Sequence, residues 1–145
     1  MTRRNKHFQQ ELKKIAVHFS YKISHSQILR HQAIAIDEEK EKMIVLDHRK
    51  NHHFKIVNLA KIISSAMKVT FKNIGAGELE HKNMDEFIQK MSLSLDHVNE
   101  AKSVEFDFFN ADENASNELT HLRLKLNNLK NILAVIARKQ LATPA

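Results

Sequence analysis

Apolar residues recur at helical spacing in two segments, one near each end of the chain. The first stripe, within about residues 5–19, consists of Phe8, Leu12, Ile15, Ala16 and Phe19. The second stripe, within about residues 117–139, consists of Leu119, Leu122, Leu126, Leu129, Leu133 and Ile136. Steps of three and four residues place such side chains on one face of a helix. The pattern therefore predicts an amphipathic N-terminal helix within residues 1–20 and a longer amphipathic helix within residues 116–140.

Between these segments apolar and polar residues alternate, which is the pattern of strands with one buried face. Antiparallel strands are predicted at residues 33–36, 43–46, 54–57, 67–71, 91–95 and 104–108. Residues 20–32 fit either a strand or a connection, and residues 58–63 fit either one helical turn or a bent strand. Gly75 and Gly77 mark residues 73–86 as an irregular loop.

The order of these elements indicates the fold class. A helix, about six or seven antiparallel strands over residues 30–110 and a final helix give an α+β chain. Its length of 145 residues fits a single domain, 1–145. Short strands in consecutive hairpins favour a meander that curls into an open barrel with one end uncovered. The C-terminal helix, with its leucine stripe, would cap that end.

Composition indicates the cellular compartment and excludes several kinds of functional site. Cysteine is absent, which excludes a disulfide framework, a thiolate zinc site and a thiol nucleophile. Residues 1–10 are polar, and no run approaches the roughly 18–20 apolar residues that span a bilayer. We therefore expect a soluble cytoplasmic protein, or one that is peripheral on the inner face of the membrane.

The net charge of +6 is concentrated at the two ends of the chain. Residues 1–34 hold seven Lys and Arg against Glu11 alone, and residues 117–145 hold five against Glu118 alone. The candidate contact surface in the first segment is formed by Arg3, Arg4, Lys6, Lys13 and Lys14. Such a surface would attract an anionic membrane, a protein partner or nucleic acid. Alternatively, the helix packs on the sheet and its charges only keep the protein in solution.

No catalytic or metal signature is recognisable in the chain. Residues 75–77 lack the third glycine and the following helix of a dinucleotide-binding turn. Carboxylates such as Glu105 and Asp107 fit the solvated face of a strand better than an acid–base pair. The densest histidine group lies in a turn between strands, matches no metal signature, and consists of His48, His52 and His53. We predict a protein that is not an enzyme and holds no metal or other cofactor.

The order of elements and three segments resemble the pleckstrin-homology-like superfold, in particular the small bacterial proteins of that shape. The segments are the hairpin of residues 35–46, the strand and following segment of residues 54–63, and the final helix of residues 117–139. The resemblance covers roughly residues 30–140. It implies a curled antiparallel sheet with a capping helix, and a role in binding or assembly.

One departure limits what this resemblance implies. Phosphoinositide-binding members of the superfold resemble one another in a basic first hairpin, whereas residues 37–42 here hold four acids against two lysines. A negative turn repels phosphate, so that ligand site is not carried over. The predicted function is a non-enzymatic binding or assembly module that contacts a protein partner, a second copy of itself or a membrane surface. The alternative is a nucleic-acid-binding protein that uses the basic ends of the chain.

Overall fold

The computed structural model describes residues 2–49, 54–73, 84–98 and 104–142, the side chains of Met84 and of residues 138–142 excepted. Its helices are α1 (Arg3–Phe19) and α2 (Leu119–Ala142). Its strands are β1 (His25–Ile28), β2 (Gln32–Asp37), β3 (Lys42–Asp47), β4 (Phe54–Asn58), β5 (Ile62–Phe71), β6 (Ile88–His97) and β7 (Val104–Asn110). The α+β class, both predicted helices and all six predicted strands are confirmed. The segment that the pattern left open, residues 20–32, contains the short strand β1.

Helix α1 packs on the first sheet through its apolar face. The Thr2 hydroxyl caps the first turn by accepting a hydrogen bond from the Asn5 backbone N–H at 3.1 Å. The helix ends at Ser20, whose left-handed φ of 60° turns the chain away. The buried side chains of its inner face are Phe8, Leu12 and Ala16. They form one apolar cluster with residues of β2 and β3, namely Ala33, Ala35, Ile44 and Leu46.

The first sheet has four antiparallel strands in the order β1-β2-β3-β4. The predicted hairpin forms its centre, and its register pairs Asp37 with Lys42 across the turn. That turn requires a positive φ of 55° at Glu41. Every residue of β2 is buried, and so is every residue of β3 after Lys42. Burial on both faces explains why the sequence of these strands reads as apolar runs rather than as a clean alternation.

The second sheet has three strands in the order β5-β6-β7. β6 and β7 are antiparallel, with a register irregularity between Met91 and Ser92. The prediction of a single curled sheet or open barrel is therefore wrong, because the strands form two separate sheets. Along the chain, a 3-10 turn at Leu59–Lys61 separates β4 from β5. The side chain of Asn58 caps this turn by accepting a hydrogen bond from the Ala60 backbone N–H at 3.1 Å.

Helix α2 begins after a 3-10 turn at Ser116–Glu118. The Glu118 carboxylate accepts hydrogen bonds from the Ala115 backbone N–H at 3.2 Å and from the Asn114 side-chain amide at 3.1 Å. An acid thus lies just before the helix, where its negative charge interacts favourably with the helix dipole. The apolar stripe is buried along its whole length and consists of Leu119, Leu122, Leu126, Leu129, Leu133 and Ile136. Within the described ranges, no helix combines the length and the apolar content that crossing a bilayer requires.

The chain divides into two compact units. The first holds the described residues up to Ile62 together with the end of α2 from Leu133, and the second holds those from Ile63 to Ile132. In the second unit the Arg123 guanidinium donates two hydrogen bonds to the Asp85 carboxylate, at 2.9 and 3.1 Å. These hydrogen bonds keep the pKa of Asp85 below its ordinary value and raise the pKa of Arg123. A single folding domain over 1–145 stays a prediction.

Asp37 is a buried carboxylate at the end of β2. It accepts hydrogen bonds from the backbone N–H groups of Lys22 at 2.8 Å and Lys40 at 3.0 Å. Burial alone would raise the pKa of Asp37, but these hydrogen bonds and the charge of Lys40 outweigh it, so the pKa lies below its ordinary value of 3.8. The carboxylate therefore ties the segment before β1 to the β2–β3 turn.

Replacing Asp37 with asparagine should lower the free energy of unfolding by about 1.5–3 kcal/mol near neutral pH, the contribution of a hydrogen bond to a charged group. The carboxylate stabilises the fold above its unfolded pKa of about 3.9, and that stabilisation is lost as the pH falls through the lower folded pKa. Urea unfolding at about pH 7 and about pH 3 should therefore show a smaller difference between variant and wild type in acid. Asp112→Asn, at an exposed position, is the control. If Asp37→Asn is as stable as this control near pH 7, the hydrogen bonds of Asp37 do not hold the turn.

Candidate functional site

Helix α1 carries all five basic residues that the sequence singled out. Each of them is exposed, and we call them the basic face: Arg3, Arg4, Lys6, Lys13 and Lys14. The apolar side chains of the same helix are buried on the first sheet, whereas these five charged side chains are exposed. Lys6 and Lys13, about two helical turns apart, line one shallow depression of about 470 Å³ with Gln9 and Gln10. The structure thus brings two of the five cations to one concave place on the surface.

The basic face has one carboxylate on its own helix. Glu11 is the sole acid between Arg3 and Phe19. Its carboxylate lies 2.7 Å from His7 Nε2 and 3.4 Å from His48 Nε2. Five cations against this one carboxylate mean that the lysines and arginines dominate the field outside α1.

An aromatic patch lies at the C-terminal end of α1, and we define it as Phe19, Tyr21 and Phe54. Phe19 stacks on Tyr21 with ring centroids 5.6 Å apart, and it meets Phe54 of β4 edge-on at 6.2 Å. Phe19 and Phe54 are 39% and 44% exposed. The Lys40 ammonium lies 5.6 Å from the centre of the Tyr21 ring. A partly exposed apolar surface with a cation beside it therefore adjoins the end of the basic helix.

A second grouping, the His–Glu cluster, consists of His7, Glu11 and His48. His7 and Glu11 are one turn apart on α1, whereas His48 comes directly after β3. One potential ligand atom from each residue lies within 4.8 Å of the others. The His48 ring stacks on Phe8 with a centroid distance of 4.0 Å, and its backbone N–H donates to the His31 carbonyl at 3.0 Å. His48 is exposed, as expected for a turn, but its ring is held in place on the helix.

The His–Glu cluster forms one wall of an open groove of about 570 Å³ in the first unit. The remaining described residues that line the groove are Lys14, Ile15, Leu46 and Phe54. The groove therefore joins the cluster to one lysine of the basic face and to one ring of the aromatic patch. The other histidines singled out in the sequence, His52 and His53, lie outside the described residues.

The strand carboxylates singled out in the sequence lie in the second unit and each contact a lysine. Glu105 lies 3.1 Å from Lys68 of β5, and Asp107 lies 3.3 Å from Lys90 of β6. Both pairs are accessible to solvent, where such ion pairs contribute little to stability. These contacts are typical of a strand surface.

Comparison with known proteins does not indicate a function for this chain. No protein-family model, curated protein or solved structure matches this chain. The resemblance to the pleckstrin-homology-like superfold accordingly stays a prediction from the order of the elements. What the chain binds has to be inferred from the basic face, the aromatic patch and the His–Glu cluster.

Proposed function

We propose that this chain is a non-enzymatic, pleckstrin-homology-like binding module that attaches to anionic phospholipid membranes through the basic face of α1. One observation carries the proposal. Five exposed cations lie on a helix whose apolar side is already buried in the core, and the single acid of that helix is engaged by two histidines. These cations can contact a broad negatively charged surface while the apolar side of α1 stays packed in the core.

The mode of attachment follows from which side of the helix is available. A free amphipathic helix buries its apolar face in the lipid boundary. In α1 that face packs on β2 and β3 through Phe8, Leu12 and Ala16. Membrane contact would therefore be mainly electrostatic, at roughly 1 kcal/mol per basic residue near an anionic surface. Such binding is reversible and weakens as salt screens the charges.

The aromatic patch would add an apolar contribution at one end of the basic face. Aromatic side chains favour the boundary between headgroups and acyl chains, since their rings are apolar and tolerate nearby polar groups. Val17, on the same helix as the lysines, is 79% exposed and offers a further apolar contact. Together these residues would orient the protein on the membrane, whereas the lysines and arginines would supply most of the attraction.

The acidic hairpin turn supports a contact surface on α1 rather than on the first hairpin. Within the turn the Asp37 carboxylate is buried and bonded to the backbone, while Glu39 is exposed. An exposed acid at this position repels lipid phosphate. The attraction to lipid phosphate is therefore expected from α1 and not from the acids of the β2–β3 turn.

Nucleic acid is the second candidate, and the aromatic patch is the observation that favours it. Single strands bind where cations follow the backbone and aromatic rings stack with bases. Phe19 and Phe54 are partly exposed, and Lys40 adjoins the Tyr21 ring. The three rings already contact one another, however, which leaves fewer free ring faces for bases than a stacking platform offers.

Co-sedimentation with vesicles tests the proposed function. The wild-type protein should sediment with phosphatidylglycerol-containing vesicles and dissociate from them as the salt concentration rises. It should not sediment with vesicles of phosphatidylcholine alone. Lys6→Glu combined with Lys13→Glu should weaken binding by about thirtyfold or more, because two favourable terms of about 1 kcal/mol are lost and replaced by repulsion. The matched control, Lys61→Glu with Lys72→Glu, makes the same charge change at two exposed positions outside α1 and should retain most of the binding.

Two outcomes would count against the membrane proposal. Equal losses in the two double variants would mean that net charge, rather than the basic face, drives adsorption. Binding to a single-stranded oligonucleotide, with no binding to anionic vesicles, would instead support the nucleic-acid candidate.

A further inference from the structure

We propose that His7, Glu11 and His48 form a binding site for a divalent transition-metal cation, with zinc as the ion of matching chemistry. Two imidazoles and one carboxylate are a set of three protein ligands that zinc accepts, leaving a fourth position for an exchangeable ligand. The site is separate from the attraction of the basic face for anions. The sequence predicted no metal because it paired His48 with its neighbours in the turn rather than with residues of α1.

The potential ligand atoms of the cluster lie within 4.8 Å of one another, and side-chain rotation would bring them to the spacing of a zinc site. Zinc bonds of about 2.0–2.2 Å in a tetrahedral arrangement separate neighbouring ligand atoms by about 3.3 Å. His48 Nε2 lies 3.4 Å from one oxygen of Glu11, and His7 Nε2 lies 2.7 Å from the other. The second distance is that of a hydrogen-bonded pair. A small rotation of the exposed His7 side chain would exchange that contact for a shared cation.

The backbone elements that carry the three ligands are already fixed. His7 and Glu11 lie four positions apart on α1, so their side chains project from the same side of the helix. The helix is anchored by its buried apolar residues, of which Phe8 also supports the His48 ring at 4.0 Å. The backbone bond from His48 to the His31 carbonyl holds the start of the turn. Binding would therefore order few additional groups, which favours affinity.

The surroundings leave room for a fourth ligand. The side chains of His7, Glu11 and His48 are 57%, 33% and 33% exposed, and they face an open groove. The groove lining includes Ile15, Leu46 and Phe54, with Lys14 as a further lining residue. A water molecule or a small anion could complete the coordination, and the Lys14 ammonium would favour the anion.

The test is titration of the chelator-treated 145-residue protein with zinc alone, followed by isothermal calorimetry. The expected result is one site with a Kd of about 1–10 µM. Cobalt, a spectroscopic substitute for zinc, should give the visible absorption of a four-coordinate site, with three protein ligands and one exchangeable ligand. Glu11→Gln and His7→Gln should each weaken zinc binding by at least about tenfold, as the loss of a direct ligand requires. His7 is exposed, so its substitution leaves the core intact.

The control is His18→Ala, which removes an exposed histidine of the same helix outside the cluster and should leave zinc binding unchanged. Unfolding curves of each variant check that the fold is retained. Zinc affinity weaker than about the millimolar range in the wild type overturns the proposal. So does tighter binding that survives Glu11→Gln and His7→Gln but is lost when His52 and His53 are replaced, because the ligands would then lie elsewhere. Either result leaves the vesicle experiment unaffected.

Discussion

Replacing Phe8 with alanine should lower the free energy of unfolding by about 3–5 kcal/mol. The side chain is completely buried, in the cluster that joins α1 to β2 and β3. Its removal loses the transfer free energy of a whole ring and leaves a cavity between the helix and the sheet. It also removes the surface on which the His48 ring stacks. Equilibrium unfolding in urea measures the change directly.

The matched control for this prediction is Phe19→Ala, because it removes the same side chain from the same helix. Phe19 is 39% exposed, so its loss should cost clearly less, about 1–2 kcal/mol. Equal costs for the two substitutions would mean that α1 is not anchored through Phe8. The apolar face of α1 would then be available to lipid, and insertion would have to replace electrostatic contact as the mode of attachment.

Leu126→Ala should destabilise the protein by about 2–5 kcal/mol, the range of leucine-to-alanine changes in cores. Leu126 is completely buried within the single chain and lies in the middle of the α2 stripe. Leu124, two residues earlier on the same helix, is 59% exposed. Leu124→Ala makes the same chemical change at that surface position and should cost well under 1 kcal/mol. Urea unfolding of the two variants gives the comparison.

This pair of substitutions also separates a buried stripe from a coiled coil. If α2 were covered by a second copy of the chain, Leu126→Ala would still be costly, but the Tm would rise with protein concentration. Because the stripe is buried within one chain, we expect a Tm that does not depend on protein concentration. Similar costs for Leu126→Ala and Leu124→Ala would contradict the packing of α2 through this stripe.

Local periodicity was sufficient to predict most of the elements. Both helices have a stripe at steps of three and four, and six strands have short apolar runs or alternation. The pattern does not decide β1, because His25–Ile28 mixes polar and apolar residues without a period. The division into two sheets was not predictable in this way, since it depends on β5 pairing with β6 and not with β4. Which strands pair with one another depends on tertiary structure, and the residue pattern within one strand does not determine it.

The same distinction between local sequence pattern and tertiary packing applies to the candidate surfaces. The basic face was predictable because its five residues lie close together on one helix. The spacing of His7 and Glu11 was visible in the sequence, but the third member of the cluster is His48, 37 residues beyond Glu11. Only the packing of α1 on β3 brings that ring to the helix. The aromatic patch likewise needs Phe54 of β4, which no local motif connects to Phe19.

Attachment through α1 can be tested by locating the membrane contact on the surface of the protein. The chain has no cysteine, so a single introduced cysteine can carry a polarity-sensitive fluorophore at a chosen position. Val17→Cys places the fluorophore on the exposed side of α1, at a residue that is 79% exposed, and Leu124→Cys places it on α2, at one that is 59% exposed. With phosphatidylglycerol-containing vesicles, we expect a blue shift at position 17, reversed by salt, and no shift at position 124. A shift at position 124 without one at position 17, in protein that sediments with the vesicles, would contradict attachment through α1.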